Sequence, residues 1–141
     1  MQVQPYLSFE GRCEEALEFY KKAIGAQVDV IMRFRDAPAD AGMSDEGCAG
    51  PMPPADKIMH SSVRIGDSVI MATDGMTSGK PDFKGISLAL TTKDDAEAQT
   101  KFKALSEGGA VLQPLMKTFF ASSFGMVADK FGVNWMVVTA A

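Results

Sequence analysis

A single histidine, His60, stands in the stretch IMHSSVRIGDSVIMAT, residues 58–73. An imidazole ordinarily titrates at about pH 6.5, so near neutrality it can accept a proton, hydrogen-bond a ligand or hold a metal ion. A metal site needs two or three further donors. Asp74, Asp129 and Cys48 carry suitable atoms, but no spacing ties them to His60. His60 is therefore expected to line a ligand site, and it is the one candidate for a catalytic base. A structural or solvent-facing histidine is the competing reading. Arg64 follows four residues later, and a guanidinium beside an imidazole suits a carboxylate or phosphate on a small ligand. Arg33 and Arg35, alternating with Met32 and Phe34, either add charge at the rim of such a site or solubilise a strand. Cys13 falls at the start of a predicted helix, where the dipole favours a thiolate. Glu14 and Glu15 oppose that shift, so no nucleophile is expected there, and Cys48 reads as a surface thiol.

The elements that must position these groups come as one pattern written twice. QVQPYLSF reads as a strand, and CEEALEFYKKAIG as a helix with Ala16, Leu17, Phe19, Tyr20, Ala23 and Ile24 at helical spacing and Gly25 ending it. AQVDVIMRFRD returns as a strand. From residue 85, GISLALTT repeats the strand, Asp94 or Asp95 caps the helix DAEAQTKFKALSEGG, and AVLQPLMK runs on. Ala98, Phe102 and Leu105 form that helix's apolar stripe. A hairpin completes each half, IMHSSVRI–GD–SVIMAT in the first and SSFGMVADKFGVNWMVVT in the second. The predicted architecture is α+β, two tandem βαβββ modules in a single domain spanning residues 1–141. Module one covers about 1–78 and module two about 79–141. The Pro-, Gly- and acid-rich loop 36–55 is either a lid or partner contact or a disordered insertion.

The two-residue Gly66–Asp67 turn fixes a register for the first hairpin: Ile65 opposite Ser68, Arg64 opposite Val69, Ser62 opposite Met71, His60 opposite Thr73. Strand alternation then puts His60, Ser62, Arg64, Met71 and Thr73 on one face. Met59, Ser61, Val63, Ile65, Ile70 and Ala72 make the other, apolar with small residues, as a helix-bearing surface requires. The chain has ten methionines, and Met32, Met59, Met71, Met116, Met126 and Met136 fall in predicted strands. Core packing is the plainer reading for them, an adaptable apolar ligand surface the other.

Composition narrows the field. The net charge is −4 over 141 residues, with no local basic patch, so nucleic acid is not an expected partner. The start, MQVQPYLSFE, has no export pattern, and no apolar run approaches the roughly 20 residues of a membrane span. Two cysteines make no disulfide framework. A cytoplasmic location without membrane association is expected.

The tandem βαβββ pattern resembles the vicinal oxygen chelate superfamily, which includes glyoxalase I, the extradiol dioxygenases and the bleomycin-resistance proteins. PYLSFEGRCEEALEFYKKAIGA, KIMHSSVRIGDSVIMATDG, KGISLALT and KTFFASSFGMVADKFGVNWMV resemble its PhnB-like branch, nearly end to end. Members of that branch are often labelled demethylubiquinone methyltransferase-like. No strand–glycine-rich loop–helix element accompanies the label here, so a methyltransferase is not expected. The resemblance implies curved sheets forming a cleft with the helices outside, and a homodimer. The superfamily's metal enzymes take ligands from the first and last strands of each half. Those places correspond to Pro5 (or Gln4), Met71, Ile86 and Met136, none of them an imidazole or a carboxylate. Their neighbours Tyr6, Ile70, Ala72, Ser87, Trp135 and Val137 supply no replacement. The usual metal site is therefore expected to be missing, and no cofactor is expected. If Met136 matches the ligand position, Trp135 is core and Asn134 offers a polar contact. Phe119, Phe120 and Phe124 belong to the segment that walls the cleft, as ligand contacts or as core. The expected ligand-binding set is thus His60, Ser62, Arg64, Met71, Thr73, Phe119, Phe120, Phe124, Asn134 and Met136.

Three functions remain open. The first is a binder of a small, partly apolar and anionic organic molecule. The second is a metal-dependent lyase, isomerase or dioxygenase with ligands at other positions. The third is a protein-interaction domain.

Overall fold

The computed structural model describes residues 1–36 and 53–141; most of the loop 36–55, with Cys48, lies outside them. The chain forms two compact units, Met1–Pro81 and Asp82–Ala141. The first runs β1 (Tyr6–Ser8), α1 (Cys13–Ile24), β2 (Gln27–Arg33), β3 (Ile58–Ile65), β4 (Ser68–Thr73). The second repeats it with β5 (Ser87–Thr92), α2 (Asp95–Ser106), β6 (Ala110–Met116), β7 (Ala121–Ala128), β8 (Asn134–Ala140). The sheet orders are β1-β4-β3-β2 and β5-β8-β7-β6, so the same topology occurs twice. In each sheet the first and last strands of the unit pair parallel and the other neighbours antiparallel. The predicted α+β architecture of two βαβββ modules is the observed one.

Helix α1 buries Cys13, Ala16, Leu17, Tyr20, Ala23 and Ile24, while Phe19 is only half-buried. Glu14 and Glu15 in its first turn and Lys21 and Lys22 in its last complement the helix dipole. Gly25 ends it in the left-handed conformation, φ 69°. Its N-terminus has no local side-chain cap. The capping is done from a distance: Asp74, buried at the end of β4, accepts the Cys13 amide at 2.8 Å and the Ile58 amide at 2.6 Å. Helix α2 is capped locally, by the Asp94 carboxylate accepting the Glu97 amide. Phe102 can approach β7 because position 125 is glycine; a Cβ there would stand 2.7 Å from the Phe102 ring.

The Gly66–Asp67 hairpin has the predicted register at Ile65–Ser68, Arg64–Val69 and Ser62–Met71, but its ladder stops at Ser61–Ala72. His60 therefore does not pair with Thr73. Asp74 draws that end of β4 toward Ile58, and the Thr73 hydroxyl donates to the Met59 and Ile58 carbonyls. The helix side of the hairpin is Ile58, Ser61, Val63, Ile70 and Ala72; a bulge against β2 puts Ile58 in the core where Met59 was expected. Strand β2 is also shorter than expected, turning into a single 3-10 turn at Phe34–Asp36. None of the six strand methionines is in the buried core, so plain core packing does not account for them.

Candidate functional site

Each sheet has one face against its helix and one far face. In the first unit Leu7, Val63, Ile70 and Ala72 are buried, while Tyr6, Ser62 and Met71 alternate with them onto the far face. Tyr6 stands beside Met71, Met71 beside Ser62, Ser62 beside Val30, and His60 beside Met32. Since β4 lies between β1 and β3, the Tyr6 side chain must cross over β4 to reach the imidazole. Its hydroxyl oxygen is 3.1 Å from His60 Nδ1, with the rings 5.6 Å apart. Partial burial holds the phenol above its ordinary pKa, and a Thr73 hydrogen bond opposes the rise. Tyr6 thus stays a phenol at neutral pH, and its hydroxyl can donate to an unprotonated Nδ1. Among the described residues, His60 Nε2 and the Ser62 hydroxyl have no hydrogen-bond partner.

Sequence reasoning missed Tyr6 as a site residue. Its signal was the alternation in YLSF, which puts Tyr6 and Ser8 opposite the buried Leu7 and Phe9.

Other expected groups are already engaged. Asp29 closes on the Arg64 guanidinium through two hydrogen bonds, 2.7 and 3.3 Å. Arg33 donates to Glu14 at 2.5 Å and to the Asp56 carbonyl at 2.6 Å. The Thr73 hydroxyl, besides donating to two carbonyls, accepts the Gly75 amide, so it is a structural group and not a ligand donor. Cys13 is fully buried; burial, with the nearby Asp74 charge, pushes its thiol up to about 12.

In the second unit the far face carries Phe124, Met126, Asn134, Met136 and Val138, since Val127, Trp135, Val137 and Thr139 are buried. Met136 faces Met126 across the ladder, and Phe124 faces Met116 and Val138. Trp135 is core, and its Nε1 donates to the buried Asp129 at 2.9 Å. Asn134 Nδ2 reaches the Ile86 carbonyl at 3.4 Å. Phe119 (98% exposed) and Phe120 (50%) stack edge-to-face on one another, and Phe120 stacks in the same way on Phe124. Neither Phe119 nor Phe120 is core.

The residues present do not fit a superfamily-type metal ion. Met71, Met136 and Ile86 offer no hard donor, and the Pro5 carbonyl already accepts the Met71 amide at 2.9 Å. Asp74 is filled by two amides, and Asp129 by the Phe131 and Val133 amides and the Trp135 indole. Among the described residues no group of three or more His, Cys, Asp or Glu side chains is placed to hold a metal.

A doubled βαβββ unit of this kind defines a glyoxalase-like α+β protein. The fold is shared with a glyoxylase/bleomycin resistance protein/dioxygenase domain from Frankia sp., at a TM-score of 0.64 and 9% identity over 99% of this chain and 95% of that one. Residues 1–138 match the 3-demethylubiquinone-9 3-methyltransferase family. Protein YjdN of Escherichia coli is 38% identical over 97% of this chain and 94% of its own length. Protein PA1353 from Pseudomonas aeruginosa is also 38% identical, with a TM-score of 0.79 over 99% of this chain and 98% of that one. A Bacillus cereus PhnB protein, described as a putative 3-demethylubiquinone-9 3-methyltransferase, is 27% identical, with a TM-score of 0.76 over 99% of this chain and 100% of its own. The chain belongs to the 3-demethylubiquinone-9 3-methyltransferase family, and its fold is the glyoxalase-like one.

Proposed function

We propose that this protein is a metal-independent binder of a small, partly apolar organic molecule, and that the far face of the first sheet receives the molecule's polar end. The observation that carries the reading is the Tyr6 hydroxyl on His60 Nδ1. A hydrogen bond to one ring nitrogen orients an imidazole and fixes its tautomer, leaving the other nitrogen for a ligand. Met71, Met32 and Val30 beside the pair give apolar contact area that adapts to shape, and Ser62 adds a hydroxyl.

Methyl transfer from a nucleotide cofactor is not what these residues support. The β1–α1 turn, Phe9-Glu10-Gly11-Arg12, holds one glycine, and the β5–α2 turn, Lys93-Asp94, holds none. Neither is a glycine-rich phosphate cradle. The Tyr6–His60 pair also favours a second reading, a metal-free lyase or isomerase in which His60 moves a proton; it would reveal itself by turnover.

The test is thermal stability of untagged protein, with and without EDTA, against a library of partly apolar compounds, with the metal content of untreated wild type and His60→Ala measured by mass spectrometry. A ligand at 100 times its Kd adds about 2.7 kcal/mol, a shift of several degrees. The expected result is stabilisation that ignores the chelator and weakens in His60→Ala. Near-stoichiometric metal that disappears in His60→Ala would overturn the proposal.

A further inference from the structure

The neighbouring strand brings one carboxylate, that of Asp29, against the Arg64 guanidinium. Strand β2 pairs regularly with β3 at Gln27–Arg64 and Val28–Val63, then skips, so that Val30 and not Asp29 lies opposite Ser62. Asp29 is the extra residue of a bulge, a device that re-aims a side chain and shifts everything after it. Without it, Asp29 would face Ser62 and Ile31 would face His60. With it, Val30 and Met32 flank Ser62 and His60, and Asp29 is released to close on the Arg64 fork at 2.7 and 3.3 Å. The bulge therefore makes the face more apolar and neutralises Arg64, whose register aligns it with Ser62 and Met71. The nearby Arg33 is engaged by Glu14, and Gln27, opposite Arg64, is uncharged.

We infer that Asp29 is a specificity-determining residue, which turns this face toward uncharged ligands with a hydrogen-bonding head and away from carboxylates. The inference rests on the binding role proposed above and narrows it, against the anionic ligand that Arg64 alone suggested. An incoming carboxylate must displace Asp29 from the guanidinium and then sit beside it. The ion pair is half-exposed, so the discrimination is a matter of several-fold and not absolute.

Matched probes read it directly: 2-naphthamide and 2-naphthoate, titrated into wild type, Asp29→Asn and Arg64→Gln, and followed by amide NMR shifts at Tyr6, His60, Ser62 and Met71. Wild type is expected to prefer the amide. Asp29→Asn is expected to move the ratio toward the carboxylate by about five-fold, as removal of one nearby exposed charge does. Arg64→Gln is expected to move it the other way. A wild type that favours the carboxylate, or a ratio unmoved by Asp29→Asn, overturns the inference while the face still binds. If neither probe shifts these four amides in any of the proteins, the binding role of the face fails, and the role of Asp29 with it.

Discussion

Tyr6 and His60 are 54 residues apart in the chain, yet the phenol oxygen lies 3.1 Å from the imidazole Nδ1 across an intervening strand. The contact depends on the sheet order, in which β4 is inserted between β1 and β3. Tyr6→Phe removes the hydroxyl and leaves the ring. One exposed hydrogen bond is worth about 1 kcal/mol, so urea unfolding is expected to show a loss of that size or less. Ligand affinity is expected to fall five- to ten-fold, as measured by isothermal titration. Unchanged affinity would separate the pair from binding.

Asp74 ties three elements together, since one carboxylate at the end of β4 caps α1 and pins the start of β3. Asp74→Ala leaves two buried amides without an acceptor, at about 1–3 kcal/mol each. A loss of about 2–6 kcal/mol in urea unfolding is expected. A loss under 1 kcal/mol would show that water or another group replaces the carboxylate.

Cys13 lies under the same carboxylate. With its thiol pushed up to about 12, chiefly by burial and then by Asp74, the reactive thiolate is scarce at pH 8. In a Cys48→Ser background, Ellman's reagent is expected to leave Cys13 untouched in native protein and to modify it promptly in denaturant. Rapid native labelling would contradict both its burial and its inert role.

Two of the carboxylates held below their ordinary range, Asp95 and Glu10, are expected to add to stability near neutrality. Hydrogen bonds from Ser122 and Ser123 hold Asp95 below its ordinary range. For Glu10, burial acts upward, but hydrogen bonds from Ser8, Ser78 and Met76 outweigh it, and the net shift is again downward. A carboxylate whose folded pKa lies below its unfolded one adds stability above the unfolded value and loses it as pH falls through the folded one. Asp95→Asn and Glu10→Gln are each expected to unfold more easily than wild type at pH 6. The gap should close as pH falls below about 4, as followed by thermal melts. A gap that stays constant with pH would assign the loss to packing.

Much of the fold was legible because it is local. The Gly66–Asp67 turn sets its own register, Gly25 has the left-handed conformation a helix end asks for, and the apolar spacing of Ala98, Phe102 and Leu105 is the buried face of α2. The site was harder to read, because its geometry is not local. Tyr6 meets His60 only through the strand order, and a one-residue bulge at Asp29 decides which side chains of β2 share their face. Thr73 had the right alternation, but its hydroxyl is taken up by the Met59 and Ile58 carbonyls. Arg64 stood on the expected face, and nothing in the order of residues announced that Asp29 would neutralise it.

The most direct test of the central claim is amide NMR mapping of a neutral fragment library on EDTA-stripped protein, wild type beside a Tyr6→Phe/His60→Ala double variant. The largest shifts are expected on Tyr6, His60, Ser62 and Met71 without any added metal, and the double variant is expected to lose them while keeping the rest of its spectrum. Hits that cluster elsewhere in wild type, or that appear at this face only after a divalent ion is restored, would contradict the claim.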